Sequence, residues 1–433
     1  MRRFRKYFSI FIMIGLLAAF SSNAIAGSTM GNGISNSNLQ YFGYYHMDGY
    51  QTPDPQYLPF VGQLESSNVA VFSSWSRGAT LREHLDLADD NGMKVLLNVY
   101  DFFFSWNPGG MGDGSGALHA SWQTYWNDLK QTLSGYEDKL LGFYFDEPWW
   151  CGVSEADFRM VTEMIRNDYP DKKIVSISAV LDFDPQNTGH SMSSNYIEFV
   201  TDVGLDYYAD DWETGIHDHY LQQLKNVADQ NQQIWLVPKA FSRNSNETAQ
   251  LLQKHLLNNY KIAMNEPRVI GIVPFTMPTG GDWDKGLYEF MDPANPSYDD
   301  YLKNIHIQVG KAVLNPASNN LFIHSIDTAG SGNGWSRQGT DIKWTAPKAG
   351  KIQISSVSSL ARNGNGSNTV NVKMMKGNTQ IWPASGWQSV GQATALYPRA
   401  ETTVAAGDVI RFRVSGSGKK VNWDPVIIYT GER

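Results

Sequence analysis

The sequence contains one cysteine, Cys151, among its 433 residues. A single cysteine cannot form a disulfide within the chain, so stability must come from the core, which a chain of this length can supply. The sequence offers Cys151 no identifiable base that would activate it as a nucleophile, and free cysteine is among the most buried residue types. Cys151 is therefore predicted to be a small buried side chain.

Sequence signatures of metal and phosphate chemistry are also missing. There is no HExxH motif, no CxxC motif and no phosphate-cradling P-loop. The cluster His217-Asp218-His219 is a weak metal candidate, because residues two apart on a helix do not share a face. Asp-rich residues 282–284 lack the loop signature of a calcium site. We therefore expect no metal and no other cofactor.

Basic residues are in the minority, since 35 Lys and Arg stand against 43 Asp and Glu, for a formal net charge of −8. This balance argues against nucleic acid as a partner and against binding to anionic surfaces. Oligomeric state is left open by the composition.

Long apolar runs are missing as well, apart from residues 9–20, which are too few to span a bilayer comfortably. Arg2, Arg3, Arg5 and Lys6 precede this run, and Ala24-Ile25-Ala26 follows it as an A-x-A cleavage site. Residues 1–26 therefore predict a secretory signal peptide and a secreted or periplasmic protein without a membrane span.

Short apolar runs alternate with helical patterns over the first part of the chain. Eight candidate strands cover residues 40–45, 69–73, 94–100, 140–145, 173–178, 205–208, 233–237 and 269–275. Helix signals lie between them, including a capping-box pattern at Thr80–Glu83 and an N-cap signal at Ser154 with Asp157 three residues later. This order predicts an α/β fold, a TIM (β/α)8 barrel over residues 27–314.

The pattern changes near Asn315. A polar linker, residues 315–320, is followed by short alternating strands between Gly, Ser, Asn and Pro turns. Residues 321–433 are therefore predicted to form a smaller all-β sandwich.

The fourth predicted strand ends in the sequence FDEPWW, residues 145–150. Pro148 cannot donate to a strand ladder, so the strand must stop there, next to Asp146 and Glu147. Two carboxylates at the end of an apolar strand are costly to desolvate unless they are used. The two indoles that follow, Trp149 and Trp150, offer flat faces to a ring-shaped ligand.

Other polar and aromatic residues also follow predicted strands, where a TIM barrel places its active site. Strand six reads GLDYYADDWE, and alternation puts Asp206, Tyr208 and Asp210 on one face. A polar ligand pocket explains such a rim better than solvated loops do. The predicted substrate contacts are His46, Asp48, Trp75, Asn98, Tyr100, Trp106, Trp149, Trp150, Trp212, Lys239 and Trp283.

The segment GFYFDEP, residues 142–148, resembles the strand-four motif of glycoside hydrolase barrels. The largest group of these enzymes carries its general acid in an Asn-Glu-Pro, whereas chitinases and hexosaminidases carry an Asp beside or just before the acid. The resemblance implies that Glu147 is the proton donor and that Asp146 orients a substrate group or supports charge. The substrate would be a polysaccharide or oligosaccharide whose O-glycosidic bonds are cleaved.

The resemblance has one departure. Asn-Glu-Pro enzymes take their nucleophile from a glutamate at the end of strand seven, and here residues 234–241 contain no carboxylate. Two routes are left open. In one, the acetamido group of the substrate attacks, assisted by Asp146 and by Tyr208 or Asp206. In the other, Asp206, Asp210 or Asp211 activates water for inversion.

An alternative reading is a non-catalytic glycan-binding protein on a barrel scaffold, because fold alone does not decide function. The C-terminal segment 407–429 resembles the closing strands of jelly-roll domains attached to carbohydrate-active enzymes. By that resemblance, the sandwich is a carbohydrate-binding or accessory module, in which Trp382, Trp387 and Trp423 are either sugar platforms or core residues.

Overall fold

The computed structural model describes residues 36–183, 191–208, 214–243, 247–281, 283–318, 320–324, 334–357, 360–362, 370–391, 396–416 and 421–431. The predicted signal peptide, together with Asp210, Asp211 and Trp212, lies outside the described residues.

Eight parallel strands close into a barrel in the order of the sequence, as predicted. They are β1 (Tyr41–Tyr45), β2 (Val69–Phe72), β3 (Lys94–Asn98), β4 (Leu140–Asp146), β5 (Lys173–Ala179), β6 (Asp202–Tyr207), β7 (Gln233–Pro238) and β8 (Val269–Ile272). The barrel closes where Tyr41 and Phe42 of β1 pair with Gly271 and Ile272 of β8.

The helices of the barrel domain are α1 (Tyr57–Gly62), α2 (Gly78–Asp90), α3 (Tyr100–Phe103), α4 (Trp122–Leu133), α5 (Glu155–Asp168), α6 (Thr214–Val227), α7 (Ala249–Asn265), α8 (Leu287–Met291) and α9 (Asp300–Leu314). The N-cap predicted at Ser154 is confirmed, because its side chain accepts a hydrogen bond from the Asp157 N–H at 3.1 Å. The capping box at Thr80 is wrong. Helix α2 already begins at Gly78, after an N-cap residue, Arg77, that makes no side-chain cap bond.

Two apolar cores enclose the barrel wall. The inner core fills the barrel with large side chains that include Tyr45, Tyr144, Ile177 and Trp235. The outer core lies between the strands and the surrounding helices, and Cys151 is fully buried within it, as predicted. Because strand side chains alternate, seven of the eight strands contribute to both cores, whereas the buried apolar residues of β6, Val203 and Leu205, belong to the outer core only. The polar site lies at the strand ends.

The C-terminal region is an all-β sandwich with its own core. One sheet has the order β10 (Trp335–Gln338), β11 (Asp341–Thr345), β18 (Val409–Ser415), β14 (Val370–Lys376) and β15 (Thr379–Trp382), with β16 (Gln388–Val390) also paired to β14. The other has the order β17 (Ala400–Val404), β12 (Gly350–Ser356), β20 (Pro425–Tyr429) and β9 (Leu321–Ile323). A short ribbon joins β13 (Ala361–Arg362) to β19 (Val421–Asn422).

The second sheet packs against helices α7 and α9 of the barrel domain. Gln253 of α7 donates to the Ser355 hydroxyl at 2.9 Å, and Gln353 donates to Asp300 at the start of α9 at 2.7 Å. Arg399 forms an ion pair of 2.6 Å with Asp299, the N-cap residue of α9. Among the described residues, we find no helix long and apolar enough to cross a membrane.

Candidate active site

Strand β4 delivers two adjacent carboxyl groups to the barrel mouth. Asp146 is its last residue, and Glu147 follows with a φ angle of +44°, in the left-handed region. The Glu147 N–H still donates to the Ile177 carbonyl of β5 at 2.9 Å. Adjacent residues of a regular strand point to opposite faces, so the left-handed turn at Glu147 is what turns its side chain back to the side of Asp146. Both residues keep partial exposure to solvent.

Asp206 of β6 joins this pair through a hydrogen bond between its carboxyl group and that of Glu147. Burial raises the pKa of Glu147, against the smaller lowering effect of this hydrogen bond. Burial, followed by the charge of Glu147, raises the pKa of Asp206 well above its usual range. The group formed by Asp146, Glu147 and Asp206, here called the carboxyl cluster, therefore holds protons at a pH where isolated carboxyl groups are ionised.

Burial also raises the pKa of Asp146 to about 8, with the charges of Glu147 and Asp101 acting in the same direction. Above its ordinary pKa of 3.8, the unfolded chain has lost the Asp146 proton, whereas the folded chain holds it until pH 8. The unfolded state binds fewer protons in this window, so Asp146 makes the folded state less stable as the pH rises through it.

We therefore expect the melting temperature of the Asp146→Asn variant to fall less steeply than that of the wild type as the pH rises from 5 to 8.5. Thermal unfolding followed by circular dichroism at several pH values measures this slope. Asp90→Asn is the matched control, since Asp90 is exposed on α2 and should leave the slope unchanged. An Asp146→Asn slope equal to that of the wild type contradicts the assignment of the raised pKa.

Strand six alternates as predicted. Asp206 and Tyr208 face the barrel interior, where Tyr208 stacks on Phe275 with ring centroids 5.5 Å apart. Leu205 belongs to the outer core, and Tyr207 packs on His217 of α6. Burial and the nearby charge of Asp206 raise the pKa of Tyr208 well above its usual range, so its hydroxyl stays protonated and can donate.

Two further carboxyl groups approach the carboxyl cluster. Asp182, in the turn after β5, is 1% exposed, and burial and the charge of Glu147 raise its pKa well above its usual range. Asp101, in α3, accepts a hydrogen bond from the Ser74 hydroxyl. Asp182 had no role in the prediction from sequence, because the short turn that brings it back to the barrel has no sequence signal as strong as that of a strand end.

His46, directly after β1, meets Trp283 from the loop after β8. His46 has a φ angle of +57°, and its Nδ1 atom lies 3.0 Å from the Thr276 hydroxyl. Its ring is nearly parallel to that of Trp283, with centroids 6.4 Å apart, and burial lowers the pKa of His46 to about 3. His46 is therefore a neutral imidazole at physiological pH, able to make hydrogen bonds but not to supply a charge.

Asp48 and Lys239 lie deeper than their predicted role in substrate contact suggests. Asp48 is fully buried and accepts hydrogen bonds from the Ser73 N–H at 2.7 Å and the Ser76 hydroxyl at 2.8 Å. Lys239, just after β7, has a fully buried side chain that pairs with Glu247. Glu247 thus brings a carboxylate to the end of strand seven from the following loop, although it is neutralised there by Lys239.

The predicted tryptophans differ in exposure. Trp75 is 46% exposed and Trp106 is 47% exposed, so both leave aromatic surface free at the rim. Trp149 is half-buried, with its ring edge-to-face on Tyr196 at 5.0 Å, and Trp150 is also half-buried. The carbonyl groups of Trp149 and Trp150 accept hydrogen bonds from the N–H groups of Gly112 and Gly109 and so hold the loop of residues 109–116 in place.

Asn98 and Tyr100 organise the end of β3. The Asn98 side chain accepts a hydrogen bond from the Tyr100 N–H at 2.8 Å, and the Tyr100 hydroxyl donates to the Ser105 carbonyl at 3.0 Å. Tyr100 is almost fully buried, and its ring packs edge-to-face on Trp106. In the part of the chain that the structure describes, no group of three or more His, Cys, Asp or Glu side chains has the arrangement of a metal site.

No protein-family model matches the chain, and no curated protein matches its sequence. Solved structures with a distant likeness include a glucosidase from Croceicoccus marinus, 11% identical over 94% of this chain and 98% of that chain, with a TM-score of 0.47. An alpha-amylase from Anoxybacillus is 8% identical over 93% of this chain and 100% of that chain, with a TM-score of 0.42. The catalytic domain of a hyperthermophilic chitinase from Pyrococcus furiosus is 14% identical over 63% of this chain and 96% of that chain, with a TM-score of 0.41. Sequence identities and TM-scores this low transfer no residue roles, so each role rests on the geometry of this chain.

Proposed function

We propose that the chain is an exported glycoside hydrolase that cleaves O-glycosidic bonds in a polysaccharide, with Glu147 as the general acid. The observation that carries this proposal is the left-handed backbone at Glu147, which places two adjacent carboxyl groups together at the mouth of a barrel. A left-handed glutamate is an uncommon and strained conformation, and such conformations concentrate at functional sites.

Glu147 is suited to donate a proton to a leaving oxygen. Its pKa is raised by burial, yet the residue is partly exposed to solvent, so Glu147 can hold a proton and meet a ligand at the barrel mouth. Asp206 is 6% exposed, and its carboxyl group is a hydrogen-bond partner of that of Glu147. A general acid works best when its pKa is close to the working pH, which the crowding of this cluster favours.

The contact between Glu147 and Asp206 argues against an inverting role for this pair. An inverting enzyme keeps its two carboxyl groups roughly 6.5–9.5 Å apart so that a water molecule fits between the base and the sugar. Two carboxyl groups that share a hydrogen bond are much closer than that. Asp206 is therefore assigned to support Glu147 rather than to activate water.

Asp210 and Asp211, the other two predicted bases of the inverting route, lie outside the described residues. We propose the other predicted route, in which the substrate supplies the nucleophile. The carbonyl oxygen of a 2-acetamido group attacks the anomeric carbon, while Glu147 protonates the departing oxygen and the glycosidic bond breaks. Water then opens the cyclic intermediate, and the Glu147 carboxylate takes its proton. In this route Asp146 orients the acetamido N–H, and the Tyr208 hydroxyl donates a hydrogen bond to the acetamido oxygen.

The rim supplies the groups that hold a sugar chain. Trp75 and Trp106 expose indole surface for stacking, and neutral His46, beside Trp283, offers a hydrogen-bonding group. The buried positions of Asp48 and Lys239 favour supporting roles, in which they fix the loops after β1 and β7.

A comparison of matched aryl glycosides tests the proposal. We expect hydrolysis of 4-nitrophenyl 2-acetamido-2-deoxyglycosides and no measurable hydrolysis of the corresponding 2-hydroxy glycosides, assayed for both anomers and for the gluco and galacto forms. Chitin oligosaccharides extend the test to a natural leaving group. Equal turnover of 2-hydroxy substrates would contradict the substrate-assisted route, and glycan binding without turnover across the panel would favour the alternative of a binding protein.

A further inference from the structure

The sandwich carries a basic surface in a chain whose net charge is negative. Lys343 of β11, Lys373 of β14, and Arg411 and Arg413 of β18 alternate with core residues of the same strands, such as Trp344, Met374 and Phe412. The four cations therefore project from the outer side of the sheet. We call this surface the basic face.

Strand register brings these cations together instead of spreading them. Lys343 lies directly opposite Arg411, and Lys373 lies directly opposite Arg413. Like charges in directly opposed positions destabilise a sheet. Asp341 pairs with Arg413 and offsets part of this repulsion, and a bound anion would relieve the rest.

An aromatic platform stands at the edge of the basic face. Trp387 is 40% exposed, and Lys373 Nζ lies 4.4 Å from the centre of its ring. Arg413 Cζ is 5.9 Å from the same ring. The other two tryptophans considered from sequence are less available, because Trp423 is buried in the core and Trp382 packs against it. Trp387 is therefore the most exposed aromatic ring of these three, and the two cations lie against it.

A row of polar groups continues from Trp387 across the sheet. It passes through Lys373 and Arg413 to Asp341, which accepts a hydrogen bond from Arg413 Nε at 3.2 Å, and ends at Gln338 of β10. Five adjacent strands span about 19 Å from first to last. A groove of about 460 Å³ runs along part of this row, lined by residues that include Thr340, Asp341, Trp387 and Arg413.

We propose that the basic face binds a polysaccharide made of acidic sugar units, with Trp387 stacked on a sugar ring and Lys373 and Arg413 paired with uronate carboxylates. The guanidinium group of Arg413 keeps donors beyond the one used by Asp341, and arginine binds carboxylates in a two-pronged geometry. A row across several strands fits an extended chain of sugars better than a compact anion. This inference concerns the sandwich and does not depend on the catalytic proposal for the barrel.

Affinity electrophoresis of the full chain tests the inference, with polygalacturonate or hyaluronate in the gel and a neutral glucan as the comparison polymer. We expect the two uronate polymers to retard the protein, the neutral glucan to have little effect, and added salt to weaken the retardation. Trp387→Ala and Arg413→Gln should each weaken binding by about tenfold, as expected for loss of a stacking or charge-assisted contact. Both side chains are exposed, and an unchanged melting temperature confirms that these variants fold.

Lys351→Gln is the matched control. Lys351 lies on the other sheet of the same domain, exposed and paired with Glu401, so its loss changes the net charge equally without touching the basic face. Binding that falls equally in Lys351→Gln, retardation that is as strong in the neutral glucan, or absence of retardation by both uronate polymers overturns the inference. None of these outcomes bears on hydrolysis at Glu147, which is assayed separately.

Discussion

Replacing Glu147 with glutamine is expected to lower kcat by about 10²- to 10⁴-fold, the usual contribution of a positioned general acid. Glutamine has nearly the same shape and keeps an oxygen that accepts the hydrogen bond from Asp206, so the barrel mouth should stay intact. What it loses is the transferable proton. Ligand affinity and melting temperature are therefore expected to change little, and the defect should fall on turnover.

The leaving group provides a sharper readout than activity alone. An aryl glycoside with a strongly acidic phenol needs little protonation to depart, whereas a sugar alcohol needs a full proton. The loss in Glu147→Gln should therefore be smaller for a dinitrophenyl glycoside than for an oligosaccharide, with steady-state rates measured on both. Glu83→Gln, at an exposed position on α2, serves as the control. Equal losses on the two substrates, or near-normal turnover on the oligosaccharide, would remove Glu147 from the role of acid.

The barrel and much of its polar rim could be predicted because both depend on short-range periodicity. Alternation along strand six assigns Asp206 and Tyr208 to the inside and Leu205 to the outside, and the structure has them so. The same rule fails one residue beyond β4. It separates Asp146 from Glu147, and only Pro148 hints that the strand has ended. The left-handed turn that reunites the two side chains is a tertiary feature held by the hydrogen bond to Ile177.

Other features escaped prediction because loops bring distant residues back to the barrel. Asp182 reaches the carboxyl cluster from a turn after β5, and Glu247 reaches Lys239 from the loop after β7. Strand seven contains no carboxylate of its own, so the sequence alone did not predict a carboxylate at the end of that strand. The capping box predicted at Thr80 is wrong because the first turn of α2 already begins at Gly78. The N-cap residue, Arg77, makes no side-chain cap bond and packs its guanidinium group over the ring of Phe102.

Lys239→Met is expected to lower the free energy of unfolding by about 3–5 kcal/mol, as typically found when one partner of a buried ion pair is removed. The side chain of Lys239 is fully buried, and that of Glu247 is 5% exposed, so the remaining carboxylate would lack both its counter-ion and water. Methionine fills most of the lysine volume, which keeps the contribution of an empty cavity small. Chemical denaturation at neutral pH measures the loss.

A double-substitution cycle separates the charge effect from packing. Glu247→Gln keeps an oxygen to accept the hydrogen bond from the Arg243 N–H, and it removes the charge that Lys239→Met leaves unpaired. The double variant should therefore be more stable than the sum of the two single losses predicts. The exposed pair of Lys94 and Asp89, at 2.8 Å, provides the matched control, and Lys94→Met should cost less than about 1 kcal/mol. If Lys239→Met and Lys94→Met lose the same stability, the pair at the end of strand seven is not shielded from water, and the assigned buried charge pair is wrong.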